Sequence, residues 1–111
     1  MRFEIVLAPQ AVKDLRRLRA NIRSAVQAAM ERHLRHERAK TSQSRIKRLR
    51  GLAHPQYRLR VDEVRVFYDL REDTVEVLAI VPKSQAEAWL QATGEREKSS
   101  EDATDEESGD V

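Results

Sequence analysis

Three arginines carry the clearest chemistry in this sequence. In YRLRVDEVRVFYDLREDTVEVLAIV (residues 57–81), Arg58 and Arg60 stand two apart in a segment that alternates apolar and polar residues. Successive side chains of a β-strand point to opposite faces, so these two guanidinium groups share a face. Arg65 follows a tight connection at Asp62-Glu63 and opens the next strand, within reach of both. Cations repeated across adjacent strands make a surface for a polyanion, and RNA is the natural one. A second basic run, Arg45, Lys47, Arg48 and Arg50 in RIKRLRG, precedes these strands and offers further phosphate contacts; its alternative is a solvated loop. An arginine stays charged near neutral pH, so it binds phosphate and stabilises negative charge but is a poor general base.

The remaining candidates are weaker. His33 and His36 are three apart on a helix, but no third ligand is placed to complete a metal site, so they read as a solvated basic helix end beside Arg32, Arg35 and Arg38. His54, before Pro55, reads as a turn residue, and Trp89 as a packing residue of a short helix. There is no cysteine, which removes disulfides, thiolate catalysis and Cys-ligated zinc, and neither a metal nor a cofactor is expected. The apolar run in MRFEIVLAPQ is too short for a signal sequence or a membrane span, so a cytoplasmic protein without membrane contact is expected.

The elements that must position the arginines follow from periodicity. Arg2 to Leu7 alternates as a strand with Phe3, Ile5 and Leu7 on one face. Pro9 suits the first turn of a helix whose stripe is Val12, Leu15 and Leu18. A second helix after Ala20-Asn21 carries Ile22, Ala25, Val26, Ala29, Met30 and Leu34 at helical spacing. Neither stripe is buried by the hairpin alone, so the pair must lie on a sheet. Strands are expected at about Tyr57–Val61, Val64–Leu70 and Val75–Val81. In the last, Val75, Val77 and Ala79 face one way and Leu78 and Ile80 the other, which makes it an interior strand. Ser84 and Glu87 have the spacing of a capping box and start a short helix to about Gln91.

The fold class is therefore α+β: a β-α-α-β-β-β order, an antiparallel-dominated sheet, a helical hairpin on one face, a short C-terminal helix, and arginines on a second, open face. Forty per cent hydrophobic residues permit one modest core, in a single domain spanning residues 1–93. Charge divides the chain. Residues 94–111 hold eight acids against two bases and read as a disordered acidic tail, which leaves the domain with a net charge of +8.

This order, with its signature YRLRV…VRVFYDL…VEVLAIV, resembles the RelE/ParE family of toxins from type II toxin–antitoxin pairs over roughly residues 2–90. The resemblance implies one of two activities. RelE-like members cleave mRNA in the ribosomal A site without metal, whereas ParE-like members poison DNA gyrase. It also implies silencing by a cognate antitoxin, with operator DNA bound only through that partner. In RelE-like cleavage a 2′-hydroxyl attacks the adjacent phosphate. That needs a base, cations around the pentacoordinate phosphorus, and an acid for the leaving 5′-oxygen. Arg58 and Arg60 match the family's basic pair, Arg65 its third-strand arginine, and Lys83 the basic position after the last strand. The tyrosine or histidine that usually ends active members is missing: this chain reads VPKSQAEAWL, with Trp89 the aromatic there. A ribosome-dependent mRNA endonuclease bound to an antitoxin is the expectation, with mRNA and the ribosome as further partners. A binding-only or catalytically weak member and a gyrase inhibitor are the alternatives.

Overall fold

The computed structural model describes residues 3–35 and 45–97. Strand β1 (Glu4–Leu7) leads through Pro9 into helix α1 (Pro9–Arg17). Helix α2 (Ala20–Ala29) continues as a π-helical turn over Met30–Leu34. Strands β2 (Ile46–Arg48), β3 (Leu52–His54), β4 (Tyr57–Val61), β5 (Val64–Arg71) and β6 (Thr74–Pro82) follow, then helix α3 (Lys83–Thr93) and strand β7 (Glu95–Arg96). The main sheet has the order β1-β6-β5-β4-β2. Strand β1 pairs in parallel with β6 at the edge, and the other neighbours are antiparallel. This is the α+β architecture expected from the sequence.

The helical hairpin covers one face. Ala11, Val26, Met30 and Leu34 bury against Leu59, Val66, Tyr68, Val75, Val77 and Ile80. Val26, Met30 and Leu34 recur every four residues and form the row that docks, whereas Ile22, at the start of the expected stripe, is 37% exposed. In α1 the most deeply buried positions are Ala11 and Asp14 rather than Val12. Arg23 sets the angle of the hairpin: its Nε and Nη2 donate to the carbonyls of Leu15 and Leu18 at 3.3 and 2.8 Å, closing the last turn of α1.

Strand β6 departs from simple alternation. Tyr68 pairs with Val77 and Phe67 with Ala79, so Leu78 is an extra residue, a β-bulge. Beyond it the faces exchange. Val75 and Val77 join the hairpin core, but Ala79 lies on the opposite face with Phe67 and Val81, and Ile80 returns to the hairpin side. The bulge lies beyond the last β1 pair, Leu7 with Val77, which leaves the Ile80 N–H without a neighbouring strand on that side. Asp14 takes its place, accepting that N–H on Oδ2 at 2.9 Å while Gln10 donates to Oδ1 at 2.8 Å. Asp14→Ala orphans a buried donor and is expected to destabilise the domain by about 1–3 kcal/mol, read as a lowered thermal midpoint. Asp14→Asn, which keeps an acceptor, should recover much of the loss.

The second face is not open. Strand β6 ends at Pro82, and α3 folds back beneath it with Trp89 stacked on Phe67 at 4.9 Å and 11°. Leu49, Ala86 and Leu90 complete this smaller apolar cluster. The capping box does not form: Pro82 is the N-cap, no side chain caps the helix, and the Lys83 N–H donates to the Glu63 carbonyl at 2.7 Å. That bond draws the helix start two residues earlier than the Ser84 cap would place it, onto the β4–β5 turn. The basic run contributes a strand, which its charge pattern, open to phosphate contacts or a solvated loop, does not announce. Ile46, opposite Leu59, is its single core residue, and three residues are too few to show a period. Glu95–Arg96, assigned to the tail, pair with β3, while residues 98–111 lie outside the described residues. Among the described residues no helix is long and apolar enough to cross a membrane.

Candidate functional site

Alternation along β4 places the arginines. Leu59 enters the hairpin core, so Arg58 and Arg60 project from the opposite face, as the spacing implies. Pairing across the sheet builds two basic rows. Lys47 of β2 stands opposite Arg58, which stands opposite Phe67. One row toward the β4–β5 turn, Arg60 stands directly opposite Arg65, and the Arg60 N–H donates to the Arg45 carbonyl at 2.8 Å. Like charges directly opposite one another destabilise a sheet, so an Arg–Arg pair is a feature that stability alone does not favour.

The turn is a two-residue connection whose first residue, Asp62, has φ 52°, a left-handed conformation that aspartate tolerates. It turns its main-chain oxygens inward. Arg65, only 7% exposed, donates from Nη1 to the carbonyls of Asp62 and Val64 at 2.8 and 3.1 Å. Burial pushes the Arg58 and Arg65 guanidinium groups below the usual arginine range; their neighbours add to this, Arg65 and Arg60 acting on Arg58, and Arg60 on Arg65. Both remain cations at physiological pH. The Glu63 carboxylate acts on Arg65 in the opposite direction, but among the described residues none of Lys47, Arg58, Arg60, Arg65 and Lys83 forms an ion pair with a carboxylate. The Nε of Arg58 is buried with no hydrogen-bond partner. Two partly desolvated arginines crowded by further cations, with no carboxylate in direct ion-pair contact, form a site poised for an anion.

These groups border a cleft of about 760 Å³ where α2 meets the β4–β5 turn and the start of α3. Arg45, Arg60 and Arg65 line it, and Lys83 joins them because the α3 start is tied to Glu63. Arg58 lies one row back, beside Lys47. Arg48 projects from the other face, its guanidinium 5.3 Å from the centre of the Tyr57 ring and hydrogen-bonded to the Gln56 carbonyl at 2.9 Å. Arg50 is exposed in the turn before Gly51. Of the basic run, only Arg45 therefore lines the cleft.

Sequence reasoning missed the helical wall. Arg32 and His33 of the π-helical turn line the same cleft, and the small residues Ala25, Ala28 and Ala29 of the preceding turns of that helix leave it room. The usable signal was the run of alanines in this helix, where small side chains leave part of its surface open. His36 and Arg38 lie outside the described residues; among the described residues no group of three or more metal-ligating side chains comes together. His54 sits away from the cleft, its Nδ1 2.6 Å from the Oδ2 of buried Asp69, which also accepts the Gln56 N–H at 2.8 Å. Neither tyrosine reaches the cleft: Tyr68 is fully buried, which pushes its phenol well above the usual range, and Tyr57 stacks on it at 5.5 Å.

The sequence model of the ParE toxin of type II toxin–antitoxin systems, parDE, matches residues 5–87. The chain belongs to this toxin family. The ParE-family chain is similar in fold to several solved toxins. The RelB–RelE antitoxin–toxin complex from Methanococcus jannaschii matches at 21% identity and TM-score 0.60, covering 76% of this chain and 96% of that one. The RelBE2 toxin–antitoxin complex from Mycobacterium tuberculosis matches at 22% identity and TM-score 0.62, covering 74% and 92%. The archaeal RelE–RelB complex from Pyrococcus horikoshii OT3 matches at 20% identity and TM-score 0.62, covering 77% and 99%. No curated protein matches the sequence.

Proposed function

We propose that this toxin is a ribosome-dependent mRNA endonuclease of the RelE type, working in the cytoplasm without metal and silenced by a cognate antitoxin. The observation that carries the reading is the cleft lined by Arg60, Arg65 and Lys83, none of which is in an ion pair with a carboxylate among the described residues. Three cations around one phosphate are what in-line attack by a 2′-hydroxyl needs, because charge accumulates on the phosphoryl oxygens as the attack proceeds. Arg58 and Lys47, one row away, are spaced to hold a neighbouring phosphate, and Arg45 another. Arg48 and Arg50 are left with peripheral contacts. The solved relatives are complexes with antitoxins, which supports an antitoxin as the partner here and operator DNA only through it.

The test is incubation of the purified chain with programmed ribosomes and mapping of mRNA ends by primer extension. Cuts inside the A-site codon, absent without ribosomes, are the expected result. The family model favours a second reading, inhibition of DNA gyrase. Growth arrest without cuts, accompanied by loss of gyrase supercoiling activity in vitro, would establish that reading instead. Neither cuts nor arrest would leave a binding-only member.

A further inference from the structure

An arginine-rich cleft stabilises charge but cannot take a proton, and the terminal tyrosine or histidine of active relatives has no counterpart in this chain. We propose that His33, on the helical wall of the cleft, is the general base that takes the 2′-hydroxyl proton. This assignment rests on the endonuclease reading and deepens it. Imidazole is the one side chain lining the cleft whose ordinary proton exchange falls between pH 5 and 8. Among the described residues, the charged groups that line the cleft with it are Arg32 on its own helix, Arg45, Arg60 and Arg65 of the sheet side, Lys83 from α3, and Asp62 and Glu63 at the turn, and Glu31 precedes it by two residues in the same π-helical turn. Asp62 and Glu63 line the same cleft and are the competing bases, which the Glu63→Gln variant tests.

In the step itself, the 2′-oxygen bonds to phosphorus as its proton passes to the basic nitrogen of His33. The bond from phosphorus to the 5′-oxygen breaks, and that oxygen takes a proton from solvent. A 2′,3′-cyclic phosphate and a 5′-hydroxyl result, and the imidazolium returns its proton to water. Arg60, Arg65 and Lys83 hold the phosphoryl oxygens throughout.

The experiment is single-turnover cleavage on programmed ribosomes from about pH 6 to 8.5, for the unaltered chain, His33→Gln and Glu63→Gln. Binding of a fluorescein-labelled single-stranded RNA is measured in parallel by anisotropy. His33→Gln is expected to slow cleavage by about 100-fold or more while RNA affinity stays within about twofold. The unaltered chain's rate should rise with pH and level off once the imidazole is neutral, and His33→Gln should lose that plateau. His33→Asn, with a thermal melt matching the unaltered chain, guards against a folding defect and should show the same loss. A histidine variant that retains both rate and plateau overturns the assignment, as does a comparable loss in Glu63→Gln alone. If the unaltered chain itself makes no cuts, the endonuclease reading fails and the assignment falls with it.

Discussion

Replacing Arg60 and Arg65 together by Ala is expected to abolish growth arrest and to slow A-site cleavage by about three orders of magnitude or more. Removing one preorganised partner of a developing oxyanion costs roughly 10²–10³ in rate, and here two are removed from one cleft. The loss should not reflect unfolding. Arg60 is exposed, and its direct partner across the strands is another arginine, so removing the pair relieves repulsion. Against that stand the two hydrogen bonds from Arg65 Nη1 to turn carbonyls, which water can replace at a net cost of about 1 kcal/mol each. These terms oppose, and the melting temperature should move little. A protein that keeps its stability while losing its activity is what a strained, charged site predicts. Binding to single-stranded RNA should also lose part of its salt dependence, the log–log slope falling by about 0.7 for each phosphate contact removed. Full toxicity in the double variant would refute the site.

The arginine face was legible because strand alternation is strictly local. Arg58, Leu59 and Arg60 fix which side the guanidinium groups occupy, whatever the rest of the chain does. The hairpin and its landing on the sheet followed from the apolar stripes for the same reason. What could not be read depended on partners distant in sequence. The bulge at Leu78 is decided by its pairing with Phe67 and Tyr68, and it reverses the face of Ala79. Asp14 looks like the polar side of α1, yet it sits beside Ile80, sixty-six residues away along the chain. The Ser84–Glu87 pattern is a good local cap, overridden because the Lys83 N–H is already engaged by Glu63. Strand β2 exists because Ile46 finds Leu59. The cleft itself is an assembly of α2, the β4–β5 turn and α3, so Lys83 was placed by resemblance while Arg32 and His33 were read as solvated. Fold class belonged to the pattern; the site's membership belonged to the packing.

Besides the Lys83–Glu63 main-chain bond, the stack of Trp89 on Phe67 holds α3 against the sheet, and breaking it should produce the largest stability loss of any change considered. Phe67 is 1% exposed and pinned between Arg58 on β4 and Ala79 on β6. Phe67→Ala is expected to cost about 3–5 kcal/mol from lost transfer energy and the cavity left behind. For a domain of this size that lowers the melting temperature by roughly 15–30 °C. Trp89→Ala removes a half-buried ring and should cost less. A double-mutant cycle between the two should return about 0.5–1.5 kcal/mol of coupling, the share that belongs to the stack itself. The chain has a single tryptophan, so Trp89 fluorescence reports the docking of α3 directly. Phe67→Ala should shift that emission to the red under conditions where far-ultraviolet circular dichroism still shows a folded chain. Trp89→Ala then separates two roles for α3. If the helix is only a lid on the second face, the variant loses stability and keeps its cleavage rate per folded molecule. If it positions Lys83, the rate per folded molecule falls too, because only the Lys83–Glu63 main-chain bond still ties the helix start to the turn. An unshifted emission with zero coupling would mean that the two rings touch without holding the helix. Lys83 would then owe its place in the cleft to the turn alone.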